Sequence, residues 1–251
     1  MQELYQHIIE AKKGNQKLLA VLIDPEKIIV AHIPAFFKKV HESIITHVFV
    51  GGSTDAERKM ELVVKTIKQY THLPVLIFPG SHEQITEAAD GILFLSLLSG
   101  RNPKYLIEQQ VQSVEKLIDT SLEIIPTGYI LIDGGIETAV QRVSETQPLS
   151  QENTNMILHT ALAGQFSGKK LIYLEAGSGA QKAIKSEIIQ EVSRKLQIPL
   201  IVGGGIRSKT QLNAAFDSGA DLVVIGTAFE QNEAFLSELR NEVLEITKER
   251  N

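Results

Sequence analysis

Cysteine and tryptophan are both absent from this chain of 251 residues. Without cysteine there can be no disulfide, no thiolate metal ligand and no cysteine nucleophile. Positive charge is in the minority, with 25 Lys and Arg against 30 Asp and Glu, so the formal net charge is −5. Such a chain lacks the basic surface typical of nucleic-acid binding, and we expect no nucleic-acid partner. An anionic substrate must therefore be held by backbone amides, a metal or a few cations.

Long apolar runs are missing as well. No segment approaches the roughly 18 apolar residues that a membrane-spanning helix needs. The opening stretch MQELYQHIIEAKKGNQKLLA indicates an amphipathic helix with Leu4, Ile8 and Ile9 on one face, and it lacks the pattern of a signal peptide. We predict a cytoplasmic protein that makes at most peripheral contact with a membrane.

What the sequence does contain is a regular alternation of apolar runs with helical patterns. Eight runs are nearly continuously apolar, which is typical of parallel strands that are buried on both faces. These runs cover residues 18–23, 46–50, 74–78, 91–95, 123–132, 171–175, 199–202 and 221–225. Helical patterns lie between them at 56–70, 103–119, 151–166, 181–196, 208–218 and 231–248.

This alternation predicts one (β/α)₈ barrel domain, a TIM-like α/β fold, over residues 1–251, with a doubly wound open sheet as the alternative. The segment 79–90 (PGSHEQITEAAD) is too short for a full crossover helix, so we expect a modified third β/α unit. Active sites of such barrels lie where the strands end. In this sequence those ends are rich in glycine and small polar residues.

Glycines follow the last two predicted strands, as Gly203-Gly204-Gly205 and as Gly226-Thr227. Loops of this kind expose N–H groups to a phosphate, and barrels often bind phosphate at this position. The spacing matches neither a Walker loop nor a dinucleotide fingerprint. The alternative is that these glycines only form tight turns. Because two adjacent strands share the feature, we predict a phosphate-bearing ligand.

Two carboxylates also stand at strand ends. Asp24 follows the first strand, beside Ser53 and Thr54 after the second, and a carboxylate with a hydroxyl can bind Mg²⁺ when a diphosphate and water complete the shell. A structural cap is the alternative role for Asp24. Glu175 ends the sixth strand among apolar residues, where desolvation would raise its pKa and suit it to act as a general base. Its alternative role is to order the loop by accepting backbone N–H groups.

Two tyrosines complete the candidate site. Tyr173 lies two residues before Glu175, on the same side of the strand, and its hydroxyl could donate to a phosphate or a substrate hydroxyl. Tyr105 follows the apolar fourth strand. An aromatic ring at that rim either closes an apolar trough or packs into the core.

Seven segments in this order resemble the geranylgeranylglyceryl phosphate synthase family, which includes bacterial heptaprenylglyceryl phosphate synthases. They are LIDPEK (22–27), VGGST (50–54), NPKYL (102–106), GYILIDGG (128–135), YLEAGSGA (173–180), VGGGIRS (202–208) and VIGTAFE (224–230). The resemblance covers nearly the whole chain. The longer stretch DGGIETAV…QPLS is similar to the archaeal and Bacteroidetes-type branch.

The resemblance implies a prenyltransferase that joins the primary hydroxyl of sn-glycerol 1-phosphate to a polyprenyl diphosphate, with geranylgeranyl diphosphate favoured by the branch. It implies Mg²⁺ on Asp24 and Ser53, a prenyl trough or subunit contact at Tyr105, and a homo-oligomer, either a dimer or a hexamer. The glycerol phosphate site would comprise Tyr173, Leu174, Glu175, Ala176, Gly177, Ser178, Gly179, Gly204, Gly205, Gly226 and Thr227.

One position departs from this pattern. Leu22 stands where some family members carry a lysine, two residues before the metal-binding acid. Either Mg²⁺ and other cations such as Lys27 neutralise the diphosphate, or the chain belongs to a distinct subgroup.

Two other functions remain alternatives: another phosphate-binding barrel enzyme (a sugar-phosphate isomerase or lyase, or an FMN-dependent oxidoreductase), and a non-catalytic phosphate-binding module. The fold alone does not separate them.

Overall fold

Eight parallel strands close into a barrel in a computed structural model of the chain, which describes residues 3–52, 57–226, 235, 238 and 239. The strands are β1 (Leu18–Ile23), β2 (His47–Val50), β3 (Val75–Ile77), β4 (Gly91–Leu97), β5 (Glu123–Leu131), β6 (Leu171–Glu175), β7 (Leu200–Gly203) and β8 (Leu222–Ile225). Each strand pairs with the next, and β8 pairs with β1. The predicted barrel and all eight predicted strands are confirmed, and the open-sheet alternative is wrong.

Helices surround this ring. They are α1 (Glu3–Lys13), α2 (Ile33–His41), α3 (Glu57–Tyr70), α4 (Gln109–Leu117), α5 (Ala139–Ser144), α6 (Thr154–Phe166), α7 (Ser186–Lys195) and α8 (Lys209–Asp217). A stretch of π-helix, Lys104–Glu108, leads into α4. The sequence analysis did not identify α2 and α5, and the helix predicted at 231–248 falls on residues described only at 235, 238 and 239. Within the described chain, no helix is both long and apolar enough to span a bilayer.

The third β/α unit has no helix, as predicted. Between β3 and β4 the chain forms turns and bends over residues 78–90. Several contacts tie this segment to α4. The His82 N–H donates to Gln109 Oε1 at 2.7 Å, the His82 Nδ1 lies 2.9 Å from the same oxygen, and Lys116 Nζ donates to the Glu83 carbonyl at 3.3 Å. Because a full helix is missing here, the outer face of β4 is left partly uncovered.

The amino-terminal end of the barrel is closed by α1. Its Ile8 is buried against the apolar side chains that fill the ring. The Glu123 carboxylate accepts the N–H groups of Leu4 and Tyr5 at 2.7 and 2.9 Å, which satisfies two donors at the start of the helix. With this end filled, the carboxyl end of the barrel is the open one, where active sites of this fold lie.

Candidate active site

A cleft of about 780 Å³ opens at the carboxyl ends of the strands. Its volume is within the range of about 300–1,000 Å³ that is typical of small-molecule sites. Barrel closure brings predicted residues from distant segments to this one mouth. Those that line it are Asp24, Tyr105, Glu175, Gly177, Ser178, Gly179, Gly204, Gly205 and Gly226.

Glu175 is buried at the end of β6, with 6% of its surface exposed. Its Oε1 accepts the N–H of Gly177 at 2.7 Å. Burial raises the pKa of the Glu175 carboxyl, and this effect exceeds the opposing influence of the Tyr173 hydroxyl and the Gly177 N–H. Glu175 therefore orders its loop, as the alternative reading held, and also has the raised pKa that suits a general base.

The last residue of β7 and the first residue of the loop after it are both glycine because the Glu175 carboxylate lies directly against them. A Cβ atom added to Gly203 would lie 2.6 Å from Glu175 Oε2 and 2.5 Å from the Tyr173 hydroxyl. At Gly204, φ is 82° and an added Cβ would lie 2.5 Å from Glu175 Oε1. These glycines thus do more than turn the chain, since they leave room for two buried polar side chains.

The same loop presents unpaired backbone donors to the cleft. The N–H groups of Gly204 and Gly205 make no hydrogen bond to any residue in the described part of the chain. Arg207 lies beside them, and its Nη2 donates to the carbonyls of Gly179 and Ala180 at 3.1 and 2.8 Å. The sequence analysis quoted Arg207 within a motif but assigned it no role. Unpaired amides next to a guanidinium are suited to an anionic group.

Tyr173 lies inside the barrel, fully buried, and its hydroxyl makes no well-formed hydrogen bond with a described residue. The rings of Phe78 and Tyr129 each lie 5.5 Å from the Tyr173 ring, between centroids. Burial raises the pKa of both tyrosine hydroxyls, and the nearby Glu175 adds to the effect, so both stay protonated as donors. The sequence analysis missed Phe78 and Tyr129, which both line the cleft.

Asp24 lies on the other side of the mouth, after β1. Its Oδ1 accepts the Glu26 N–H at 3.0 Å, and its Oδ2 forms an ion pair with Lys27 Nζ at 2.8 Å. The carboxylate lies beside Gly52, where an added Cβ would be 3.0 Å from Oδ1. With 20% of its side chain exposed, Asp24 both caps a turn and offers a carboxylate to a ligand in the cleft.

Three predicted ligand residues, Ser53, Thr54 and Thr227, lie outside the described residues. Among the residues that are described, no group of three or more His, Asp or Glu could hold a metal. A single carboxylate such as Asp24 can still hold a metal when substrate and water supply the remaining ligands. Mg²⁺ commonly binds in this way, through one or two carboxylates and substrate phosphates.

Two members of the predicted phosphate segment turn away from the cleft. The side chains of Leu174 and Ala176 lie in the apolar layer between the strands and the helices. The N–H of Ala176 is also engaged, because it donates to the Gly203 carbonyl at 3.0 Å. Strand alternation explains this result, since residues on either side of Glu175 point to the opposite face.

An apolar arm of the cleft, here called the trough, runs along the outer face of β4 beside α4. Tyr105 stands at its rim, and its hydroxyl donates to the Val143 carbonyl of α5 at 2.9 Å. The trough lies where the third helix is missing, so Tyr105 both packs locally and borders an apolar channel. Its other lining residues include Ile85, Ile92, Phe94, Gln109, Gln110 and Ser113.

Known proteins resemble this chain over almost its full length. A model of the PcrB family matches residues 9–246. A geranylgeranylglyceryl phosphate synthase of Zunongwangia profunda is 58% identical over 93% of this chain and 99% of the relative. One of Flavobacterium johnsoniae is 54% identical over 92% and 96%. The crystal structure of (S)-3-O-geranylgeranylglyceryl phosphate synthase from Thermoplasma acidophilum in complex with substrate sn-glycerol-1-phosphate has a TM-score of 0.89 and 32% identity, covering 98% of both chains.

Replacing Gly203 with alanine should disturb Tyr173 and Glu175, because the new Cβ would lie within 2.6 Å of a polar atom of each side chain. We expect Gly203→Ala to weaken the binding of a small anion such as inorganic phosphate about tenfold, as measured by calorimetry. Gly14→Ala, at the far end of the barrel, is the control and should bind normally. Wild-type affinity in a folded Gly203→Ala variant would contradict this view of the site.

Proposed function

Since this chain belongs to the PcrB family, we propose that it joins the primary hydroxyl of sn-glycerol 1-phosphate to a polyprenyl diphosphate through an ether bond, with release of diphosphate. The observation that carries the proposal is that one cleft joins the buried Glu175, an apolar trough and glycine amides without a partner among the described residues. Geranylgeranyl diphosphate is the proposed donor, in keeping with the names of the relatives.

The phosphate of the acceptor would bind at the loops after β6, β7 and β8. The N–H groups of Gly204 and Gly205 point to this role, and Arg207 adds a positive charge nearby. The Tyr173 hydroxyl, which has no well-formed bond within the described chain, would donate to an oxygen of the acceptor. These contacts direct the glycerol hydroxyls toward Glu175.

Glu175 would accept the proton of the primary hydroxyl as that oxygen attacks the allylic carbon of the donor. The carbon–oxygen bond to diphosphate breaks as the ether bond forms, and diphosphate leaves. The raised pKa of Glu175 makes it a stronger base than an exposed glutamate. The rings of Phe78, Tyr129 and Tyr173 restrict water, and their faces favour positive charge that develops on the allylic carbon.

Asp24 is the proposed protein ligand for Mg²⁺, together with Ser53 or Thr54 from the neighbouring loop. Bound there, Mg²⁺ would neutralise the diphosphate and stabilise it as a leaving group. Asp24 fits this role because its carboxylate is accessible from the cleft. Lys27, which pairs with Asp24 and lines the cleft, would supply positive charge to the diphosphate in place of the lysine that some family members carry at the position of Leu22.

The activity is tested by measuring diphosphate release with Mg²⁺ and geranylgeranyl diphosphate, comparing sn-glycerol 1-phosphate with glycerol 3-phosphate. We expect release that requires the 1-phosphate and an ether lipid product identified by mass. Asp24→Ala should reduce turnover by at least about 10²-fold through loss of metal-bound diphosphate. The exposed Asp119→Ala serves as the matched control and should retain activity.

The alternatives give different results in the same assay. An FMN-dependent enzyme would be yellow, and a non-catalytic module would bind the acceptor without turnover. Absence of an ether product with every prenyl donor would reject the synthase proposal. Full activity in Asp24→Ala, with product still formed, would reject only the metal assignment.

The role of Glu175 is tested by its pH dependence. A general base must be ionised, so activity should fall as the pH decreases through the pKa of Glu175, which lies above the ordinary value of 4.5. Glu175→Gln should lower kcat/KM by about 10²–10⁴-fold and remove this acid limb. The exposed Glu115→Gln is the control. A Glu175→Gln variant that keeps the wild-type acid limb would show that another group titrates.

We also propose a homo-oligomer, a dimer or a hexamer, in which the outer face of α4, extended by one residue of the preceding π-helical stretch and by the residue after α4, contacts a second copy of the chain. Four apolar side chains at helical spacing form an exposed stripe, with exposures from 48% to 71%. The stripe consists of Ile107, Val111, Val114 and Ile118. A net charge of −5 disfavours an anionic lipid surface as the occupant, which supports a second copy instead.

Light scattering tests this interface. Val111→Asp should reduce the molar mass to a smaller species, because a buried charge without a partner is costly at an interface. Gln112→Asp, an adjacent exposed position on the same helix, should keep the wild-type mass. An unchanged mass in Val111→Asp, or a monomeric wild-type chain, would exclude this stripe as the subunit contact.

A further inference from the structure

A second tyrosine hydroxyl lies in the cleft, and the proposed reaction uses only the ring that carries it. Tyr129, on β5, is 4% exposed and lines the cleft. Its hydroxyl makes no hydrogen bond with a described residue, and protein atoms do not enclose it. Because a largely buried tyrosine hydroxyl usually has a hydrogen-bond partner, this one is open to a polar group of a ligand.

The Tyr129 ring is held in a fixed position. Strand β5 places this residue between Leu97 of β4 and Tyr173 of β6. The Phe78 ring lies 5.9 Å from the Tyr129 ring, between centroids, and the Tyr173 ring lies 5.5 Å away at an interplanar angle of 75°. A side chain packed in this way on a central strand keeps its polar atom at one point, which a specificity contact requires.

The Tyr129 hydroxyl is also near the proposed base. Burial raises the pKa of Tyr129, and the Glu175 carboxylate adds to this effect, which requires the two groups to be close together. The hydroxyl therefore stays protonated and can donate beside that carboxylate. Thr138, which lies against Gly177, lines the cleft as well, but its Oγ1 already accepts the Gln141 N–H at 3.2 Å.

The acceptor of the proposed reaction has three polar groups around one chiral carbon. The glycine amides would hold its phosphate, and Glu175 would hold its primary hydroxyl. Two contacts cannot distinguish the molecule from its mirror image, so a third contact is needed. With the first two contacts kept, the mirror image would turn its secondary hydroxyl away and place a hydrogen atom there instead.

We propose that the Tyr129 hydroxyl binds the secondary hydroxyl of the acceptor and so selects sn-glycerol 1-phosphate over sn-glycerol 3-phosphate, a specificity role that rests on the proposed function. The same contact turns the primary hydroxyl toward Glu175. A site built for a substrate hydroxyl rejects an analogue without it, because the polar group of the site is then left unpaired. Tyr129 contacts no bond that forms or breaks, so it selects and orients the acceptor without transferring a proton.

The test combines one substitution with one missing substrate group. Tyr129→Phe removes the hydroxyl and keeps the ring, whereas 3-hydroxypropyl phosphate lacks only the secondary hydroxyl of the acceptor. Calorimetry compares the binding of 3-hydroxypropyl phosphate with that of the two glycerol phosphates. We expect Tyr129→Phe to weaken the binding of sn-glycerol 1-phosphate about tenfold and to change the affinity for 3-hydroxypropyl phosphate by no more than about twofold. The preference between the two glycerol phosphates should fall about tenfold as well.

Two further measurements keep the test decisive. Tyr70→Phe makes the same substitution on α3, where the ring is 41% exposed, and should leave all three affinities unchanged. The wild-type chain should bind sn-glycerol 1-phosphate about tenfold more tightly than 3-hydroxypropyl phosphate. Equal affinities would show that the secondary hydroxyl has no partner, and they would overturn the proposal even if Tyr129→Phe does not fold.

The outcomes separate this proposal from the proposed function. A folded Tyr129→Phe variant that weakens all three ligands equally would show that Tyr129 only supports the cleft, and an unchanged preference between the glycerol phosphates would exclude the contact. A wild-type chain that binds with the expected preference but forms no ether product with any prenyl donor would overturn the proposed function and leave the Tyr129 contact in place.

Discussion

The contact between the Glu175 carboxylate and the backbone of Gly203 and Gly204 is the constraint on which the site depends. A buried carboxylate is unfavourable unless nearby groups compensate it, and here the Gly177 N–H bonds to Oε1. A side chain at Gly203 or Gly204 would displace the carboxylate or Tyr173. The N–H groups of Gly204 and of the next residue, Gly205, have no partner among the described residues, and both glycines line the cleft. The close packing of Glu175 against Gly203 and Gly204 thus accompanies both the raised pKa of the carboxylate and the exposure of backbone N–H groups to an anion.

Barrel closure gives this polar side of the mouth an apolar counterpart. The anion site lies after β6 to β8, whereas the trough follows β4, where the third unit has no helix. Asp24, after β1, lies between the two sides because β1 pairs with β8. In our proposals, the acceptor and the tail of the donor occupy opposite sides, and the diphosphate lies between them. The helix α4 then serves two purposes, since its inner face lines the trough and its outer face carries the apolar stripe proposed as the subunit contact.

Local patterns predicted much of this arrangement. Continuous apolar runs predicted the eight strands, and the short 79–90 segment predicted the altered third unit. Glycine-rich strand ends predicted the side of the barrel that carries the cleft. A motif, however, does not specify where each of its side chains points. Leu174 and Ala176 belong to the predicted phosphate segment, yet strand alternation turns their side chains toward the helices.

The sequence by itself therefore determined the order of the strands, the open end of the barrel and the presence of Asp24 and Glu175 there. These properties follow from periodicity and from residue types at strand ends, which are local. Only the tertiary structure decided that Arg207 reaches the β6 loop and that the Gln110 amide donates to the Leu95 carbonyl of β4. Both depend on contacts between segments far apart in the chain, and no local pattern encodes the distance between such groups.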